Sequence, residues 1–413
     1  VRKTLKSLFL GEKLASSQLT GEKFNVFWGL PMLASDAISS VAYASEEILW
    51  AFIPVIGVAS YFWMTKVAGA IIVLLIILTI SYRQIVDAYP CGGGAYIVAK
   101  DNLRVIFGLI VGASLSVDYI LTVAVSISVG TAAITSAFPL LYTHKVAIAI
   151  IIILFMTVGN LRGVKESSKL FSIPTYAFLF SIVVLIAVGI WKSLNEAVHP
   201  GPVTIASHVS FGTQAVTLFL ILKAFSSGCA AVTGVEVICD AVPNFKEPSA
   251  KNAKRAYVLL AGAVLITFGG ITYLAELYRA VPNEHQTVIA QLATLIFGPG
   301  LMFYFIQITT AIILAMAANT AFAGFPTLIS IISRDGYAPR QLASRGHRLN
   351  YSNGILLLAL AAALLVVIFQ SDTHALIPLY AIGVFTSFTL AQAGMFIRWK
   401  TLKPKGWHYT IRL

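Results

Sequence analysis

Charge is what this chain has least of. Only 11% of its 413 residues are Asp, Glu, Lys or Arg, and 58% are hydrophobic, whereas an ordinary soluble protein carries about 25% charge. Mean hydropathy is +0.85 and the apolar runs are longer than a soluble core helix needs, which excludes a cytoplasmic enzyme and makes the chain an integral membrane protein. Cysteine is also scarce: Cys91, Cys229 and Cys239 are too few, and too apolar in setting, for a disulfide framework or a zinc site. There is no His/Cys cluster, H-E-x-x-H pair, Walker A loop or nucleophile-with-base pattern, so neither transition-metal nor hydrolytic chemistry nor a nucleotide-driven pump is expected. A TVGYG-like filter is missing as well, which argues against a potassium channel. The N-terminus, VRKTLKSLFLGEKLASSQ, has no long apolar core and no obvious cleavage site, so residues 1–24 read as a cytoplasmic segment with a short interfacial helix rather than a removable signal peptide. The chain opens with Val and not Met, as a trimmed or partial sequence would.

What is present is hydrophobic length. Apolar stretches of about 20 residues fall at 25–53, 58–82, 103–137, 146–161, 168–191, 215–241, 253–278, 298–323, 352–370 and 374–397. With the N-terminus inside, 24 of the 29 Lys and Arg fall in cytoplasmic segments. Lys145, Lys192 and Arg279 fall on the opposite side, and Lys66 and Lys223 lie in or near the spans. That bias fixes an even number of crossings, with both ends of this chain cytoplasmic.

Ten spans suggest two halves of five, and an odd number per half requires the second to be inverted. The first span of the first half, FWGLPMLASDAISSVAYASEEILW, and the first span of the second, VTLFLILKAFSSGCAAVTGVEVICDAV, both weaken at the centre, at ASDAISS and FSSGCAAVTG. Small and polar residues at corresponding places mark broken helices whose freed backbone groups line a midplane site. The expected architecture is therefore an all-α polytopic protein of the LeuT-type five-plus-five inverted-repeat fold, with helices 1 and 6 broken. Its first repeat spans 25–191 and its second 215–397, with an extracellular loop at 192–214 and a basic cytoplasmic tail at 398–413. The competing reading makes the small residues packing faces of continuous helices. Asp36 and Glu236, beside the interruptions, favour the first.

An ionisable group at mid-bilayer costs about 2.5–3.5 kcal/mol even on a lenient insertion scale, so each needs a partner or a task. Asp36, Asp118 and Glu236 stand out. Tyr43 lies seven residues after Asp36, and Asp118, Thr122 and Ser126 repeat at i, i+4, i+8 as one oxygen-bearing stripe. Thr233 and Glu236 follow the second interruption, and Tyr380 lies on the tenth span. Carboxylates, hydroxyls and freed carbonyls suit a hard, weakly polarising cation. Uphill uptake without ATP needs a coupled ion, and a carboxyl held in a low-dielectric site is suited to carry a proton. Glu236 is the preferred carrier. The bland alternatives stay open: Asp118 could pair with Lys223, and Thr122 and Ser126 could bond their own i−4 carbonyls. Glu46, Glu47, Asp240 and Glu276 read as solvated helix ends or pathway vestibules, and Lys66 and Lys223 as snorkelling or structural groups. Gly92, Gly93 and Gly94, after Pro90, permit a tight turn or a close helix approach. The Lys-Ser/Thr that a phosphate loop needs is missing there.

Certain motifs carry a resemblance. YPCGGGAYIVAKDNL (89–103) is similar to the turn after the second helix in the amino acid, polyamine and organocation (APC) superfamily. LASDAISSVAYASEEIL (33–49), SVDYILTVAVSIS (116–128) and TGVEVICDAVPNFKEPSAKNAKRA (233–256) resemble, more narrowly, the KimA-type potassium importers of the KUP group. The resemblance implies proton-coupled potassium uptake in the cell membrane, with no enzymatic activity and no organic cofactor. It puts potassium coordination on Asp36, Tyr43, Asp118, Thr122, Ser126, Thr233 and Tyr380, the ion itself on Asp36, Asp118 and Thr233, and proton coupling on Glu236. Family members carry two further helices and a cytoplasmic region for dimerisation and inhibition by cyclic di-AMP, whereas this sequence stops at Leu413. The main rival is an APC-type amino acid permease. Its broken first helix offers backbone amides to a substrate carboxylate, a group that Asp36 would repel. A cationic polyamine is a third substrate class, and a sensor that binds solute without flux a fourth role.

Overall fold

The computed structural model describes residues 23–90, 92, 94–162, 168–195, 214–345 and 351–403. The expected interfacial segment, the loop after the fifth span and the basic tail fall wholly or mostly outside them, as do Cys91 and Gly93. Helices α1 (Val26–Ser39) and α2 (Val41–Ile56) form the first span, and a 3-10 turn, Gly57–Ala59, leads into α3 (Ser60–Ala88). After the glycine turn come the short α4 (Ala95–Asn102) and then α5 (Val105–Ala137), α6 (Lys145–Leu161) and α7 (Ser168–Asn195). The second half runs α8 (Leu218–Gly228), α9 (Val237–Asp240), α10 (Ser249–Leu277), α11 (Val288–Phe297), α12 (Leu301–Arg334), α13 (Ser352–Ile368) and α14 (Thr373–Leu402).

Eight helical stretches among the described residues are long and apolar enough to cross a membrane. The first, Val26–Ala88, contains two of the expected spans, and the 17-residue Ser352–Ile368 supplies the ninth span in sequence order. All ten expected spans are therefore helical. α2 packs on α8, α3 on α10, α5 on α12 and α6 on α13, so four of the five spans touch the span five places later. A two-fold axis relating two five-helix repeats produces this pairing, because elements nearest the axis meet their own symmetry mates.

α5 is the central element. Leu121 to Thr131 are buried without a break, since α12 and α14 pack along it and α4 and α13 add further contacts. Apolar side chains such as Phe107, Val117, Phe155, Phe180 and Phe219 remain exposed and would face lipid, where exposure carries no hydrophobic penalty.

Basic residues cluster at one end of the bundle, and ion pairs tie its segments together. Lys23 meets Glu247 at 3.3 Å, Lys254 meets Asp87 at 2.7 Å and Lys100 meets Asp335 at 2.6 Å. Lys100 and the Tyr96 hydroxyl both donate to Asp335, holding its carboxyl below the ordinary value of 3.8. A parallel bridge links Phe24 to Phe245, through Phe24 N to Asn244 O at 3.0 Å and Lys246 N to Phe24 O at 2.9 Å. The entry to the first span is thus fastened to the exit of the sixth.

Candidate functional site

The sixth span is broken outright. α8 ends at Gly228, a 3-10 turn covers Cys229–Val232, Thr233 is extended (φ −71°, ψ 154°) and Gly234 adopts φ +74° before the four-residue α9 begins at Val237. A left-handed residue is unfavourable for any side chain with a Cβ, which is why glycine occupies the break. Space makes the same demand: a Cβ on Gly234 would stand 2.7 Å from Asp36 Oδ2 and 3.0 Å from the Ala37 amide nitrogen. The bare backbone lets the break in the sixth span rest against Asp36 in the first.

The first interruption is narrower than ASDAISS suggests. It is confined to Ser40, whose dihedrals (φ −63°, ψ −22°) stay helical. Ser39 Oγ and Ser40 Oγ donate to the carbonyls of Asp36 and Ala37, each at 2.9 Å, so hydroxyls take up acceptors that a wider opening would leave free. The glycine turn also meets the sixth span. Gly92 has φ +81°, and a Cβ there would lie 2.8 Å from the Asp240 carbonyl oxygen. The turn therefore serves both a tight bend and a close approach.

Asp36, Tyr43, Asp118, Thr122, Ser126, Thr233, Glu236 and Tyr380 are all at least 95% buried, and the fold brings together all of them but Ser126. Asp118 lies within electrostatic reach of both Asp36 and Glu236, and Tyr380 within reach of Asp36, Asp118 and Tyr43. Thr122 Oγ1 donates to the Tyr380 hydroxyl at 3.1 Å, joining the α5 stripe to the tenth span. Thr233 Oγ1 donates to the Ala230 carbonyl at 2.8 Å. Thr233 and Tyr380 both line a narrow cleft between the break and α14 that has no room for a water molecule. Asp118 Oδ1 and Glu236 Oε2 are buried without a hydrogen-bond partner. Among the described residues no Lys, Arg or His forms an ion pair with Asp36, Asp118 or Glu236.

The bland readings divide. Lys223 is exposed and does not pair with Asp118, and Thr122 reaches Tyr380 rather than the carbonyl one turn back. Lys66 lies over the Phe62 ring at 4.1 Å and the Trp63 ring at 4.9 Å, an apolar structural role. Glu276 accepts from the Thr65 hydroxyl at 2.5 Å. The reading of Glu46 and Glu47 as solvated helix ends needs correction. Both are buried within α2. Glu46 Oε2 accepts from the Val288 amide at 3.0 Å, capping α11, and Glu47 Oε1 meets His374 Nδ1 at 2.6 Å. Packing of α11 and α14 around α2 covers what the sequence places near a membrane boundary. The vestibule alternative fits them: both line a cavity of about 360 Å³ that reaches Tyr43.

Sequence reasoning missed His374, Ser128 and Thr131, which line that cavity. Ser128, Thr131 and Thr135 recur at i, i+3, i+7, and that spacing was the available signal for a second polar face on α5. Gln307 on α12, with both amide atoms buried and unpartnered, was missed as well.

The family model described as "Amino acid permease" matches residues 27–412. The potassium transporter KimA of Bacillus subtilis is 47% identical over 406 residues, covering 98% of this chain and 66% of that protein. The low-affinity putrescine importer PlaP of Escherichia coli is 25% identical over 291 residues, 68% of this chain and 62% of the importer. The chain thus spans slightly under two thirds of the length of either relative. Among solved structures, the crystal structure of the Eremococcus coleocola manganese transporter with an aromatic bis-isothiourea compound aligns at a TM-score of 0.48 and 14% identity, over 93% of this chain and 83% of that one. A match along nearly the whole length, on a ten-span helical bundle whose sixth span breaks beside Asp36, settles the classification: the chain belongs to the amino acid permease family.

Proposed function

We propose that this protein is a secondary active transporter that imports potassium, with protons as the coupling ion, through a midplane site between the first, third, sixth and tenth spans. One observation carries the reading. Three buried carboxyl groups, on Asp36, Asp118 and Glu236, lie within mutual electrostatic reach, and among the described residues no basic side chain is paired to them. Like charges that close cannot all remain ionised out of water unless a cation or protons balance them. A potassium ion held by Asp36, Asp118 and Thr233, with Tyr43, Thr122, Ser126 and Tyr380 completing an oxygen shell, supplies one balancing charge. A proton on Glu236 supplies another. Release of that proton and of the ion to the same side would couple the two fluxes, and rocking one repeat against the other would change the side. The basic end of the bundle is then cytoplasmic.

The name of the 47% identical relative supports a potassium substrate. The importer named for putrescine supports a cationic substrate more broadly. A substrate carboxylate would meet Asp36 where the sixth-span break approaches it.

Uptake of radioactive rubidium into proteoliposomes, with and without an inward proton gradient, tests the reading. Saturable uptake stimulated by the gradient is expected, abolished in Asp118→Asn and uncoupled from the gradient in Glu236→Gln. Uptake of a labelled amino acid mixture or of putrescine without any rubidium flux would overturn it. Full gradient dependence in Glu236→Gln would remove the proton role from that residue alone.

A further inference from the structure

We infer that Arg334 and Arg345, joined on Tyr351 at the basic end of the bundle, form a headgroup site for an anionic phospholipid whose acyl chains lie along α13. The inference is independent of what the protein transports. From Leu301 to Ser371 the sequence carries Arg334, Arg340, Arg345 and Arg348 against one acidic residue, Asp335. That carboxylate is already taken, by Lys100 and by the Tyr96 hydroxyl, each at 2.6 Å. Among the described residues neither Arg334 nor Arg345 forms an ion pair. Both turn to one phenol instead. Arg334 Nη2 donates to the Tyr351 hydroxyl at 2.8 Å, and the Arg345 guanidinium lies over the Tyr351 ring, 5.2 Å from its centroid. Two like charges held on one ring repel unless an anion joins them. A guanidinium has five N–H donors in a planar fork that matches a phosphate, so one bond to the phenol leaves the fork available. Tyr351 itself reports the local field. Burial raises its pKa, yet the Ser330 hydroxyl, the Arg345 guanidinium and the charge of Arg334 outweigh that and hold the phenol below its ordinary 10.0. Negative charge on an oxygen is therefore favoured at this point, and a phosphate oxygen carries such charge already.

Position selects a lipid rather than a soluble anion. α13 has 17 residues and is about 25 Å long, close to the hydrocarbon thickness of about 30 Å. Tyr351, its N-cap, therefore lies at the membrane interface, a depth at which tyrosine is favoured. From its second turn on, α13 exposes Leu356, Leu357 and Leu360, an apolar face suited to acyl chains. Just inside the interface α12 and α13 close up, since a Cβ on Gly354 would stand 3.0 Å from Pro326. Arg334, at the end of α12, thus meets Tyr351, at the start of α13, over one seam between two spans. Basic pockets of this kind between spans bind lipid headgroups. A phosphate held by the two arginines leaves its tails along the same helix, a surface that a free phosphate ion does not use. A zwitterionic headgroup would bring its own cation towards the arginines, so a net negative one is preferred.

Native mass spectrometry of the purified protein, titrated with phosphatidylglycerol, phosphatidylcholine and inorganic phosphate, tests this. Phosphatidylglycerol should bind more tightly than phosphatidylcholine, and phosphate at the same concentration should not displace it. The double variant Arg334→Gln/Arg345→Gln should weaken phosphatidylglycerol binding by roughly 5-fold for each arginine removed and erase the preference. Arg345→Gln alone, should the double variant fail to fold, should lose roughly 5-fold. Arg83→Gln/Arg255→Gln removes two exposed charges on α3 and α10 and should bind like the wild type. Equal losses in the two double variants would mean that net charge and not this pair attracts the lipid, which would overturn the inference. An unchanged preference in the variants of Arg334 and Arg345 would overturn it too, and so would displacement by phosphate, which would make the site one for a free anion. Rubidium uptake is decided separately, so either reading can fail without the other.

Discussion

Substitution of Gly234 by alanine tests the junction on which the site depends. Gly234 sits at φ +74°, where an L-residue costs roughly 1–2 kcal/mol relative to its preferred conformation. The added Cβ would also stand 2.7 Å from Asp36 Oδ2 and 3.0 Å from the Ala37 nitrogen. The carboxylate can rotate away, but only by leaving the position that brings it within reach of Asp118. The backbone nitrogen cannot, so the first span has to withdraw from the sixth. Taking the backbone cost alone as a floor, any equilibrium that requires the intact junction shifts by roughly 5–30-fold. Rubidium uptake in proteoliposomes should therefore show a half-saturating concentration raised by about that factor, and the purified variant should melt earlier. Gly69→Ala is the control, because a Cβ there meets nothing within 4 Å and its φ is unremarkable. It should match the wild type in both assays. If Gly234→Ala also matched the wild type, the left-handed turn and the contact with Asp36 would not be features of the working protein, and the argument that the two interruptions build one site would fail.

The Thr122–Tyr380 hydrogen bond at 3.1 Å is buried and should contribute about 0.5–1.5 kcal/mol. Thr122→Val and Tyr380→Phe should each raise the half-saturating rubidium concentration a few-fold, and the double variant should lose less than the two effects combined; full additivity would mean that the hydroxyls act apart. At the basic end, Asp335 holds its carboxyl below 3.8 through Lys100 and Tyr96. A carboxyl depressed in the folded state stabilises above its unfolded value and loses that contribution as pH falls through the folded one. The melting temperature of the wild type should therefore fall more than that of Asp335→Asn as pH drops below about 4; parallel pH profiles would dismiss the cluster as a stabilising element.

Much of this molecule can be read from hydropathy, because a bilayer-spanning helix must be apolar over a fixed length. The ends were less legible. α12 continues to Arg334, beyond the apolar window that closes near 323, because its last turns still bury an apolar face through Phe325, Leu328 and Ile332. α11, ten residues starting at a Thr287 cap, is too short to register as a span, yet its first amide is capped by Glu46 from the first span. A tertiary cap leaves no local trace in sequence.

The same asymmetry governs the site. A carboxylate inside an apolar run is conspicuous whatever surrounds it, so Asp36, Asp118 and Glu236 were visible from the sequence. The pair of Glu47 and His374 was not, since the two lie 327 residues apart and nothing local in the sequence joins them. Hydroxyls are harder still. Ser39, Ser40, Ser128 and Thr131 are equivalent in sequence, small polar residues in apolar helices. The first two bond to backbone carbonyls and keep the Ser40 interruption nearly helical, whereas the last two border a cavity unpaired. What separates them is whether the opposing surface leaves space, and α2, α11 and the start of α14 supply that surface. Polarity within a span therefore marks where this fold departs from a plain helical bundle, and the packing of remote helices decides whether that polarity closes a turn or lines a cavity.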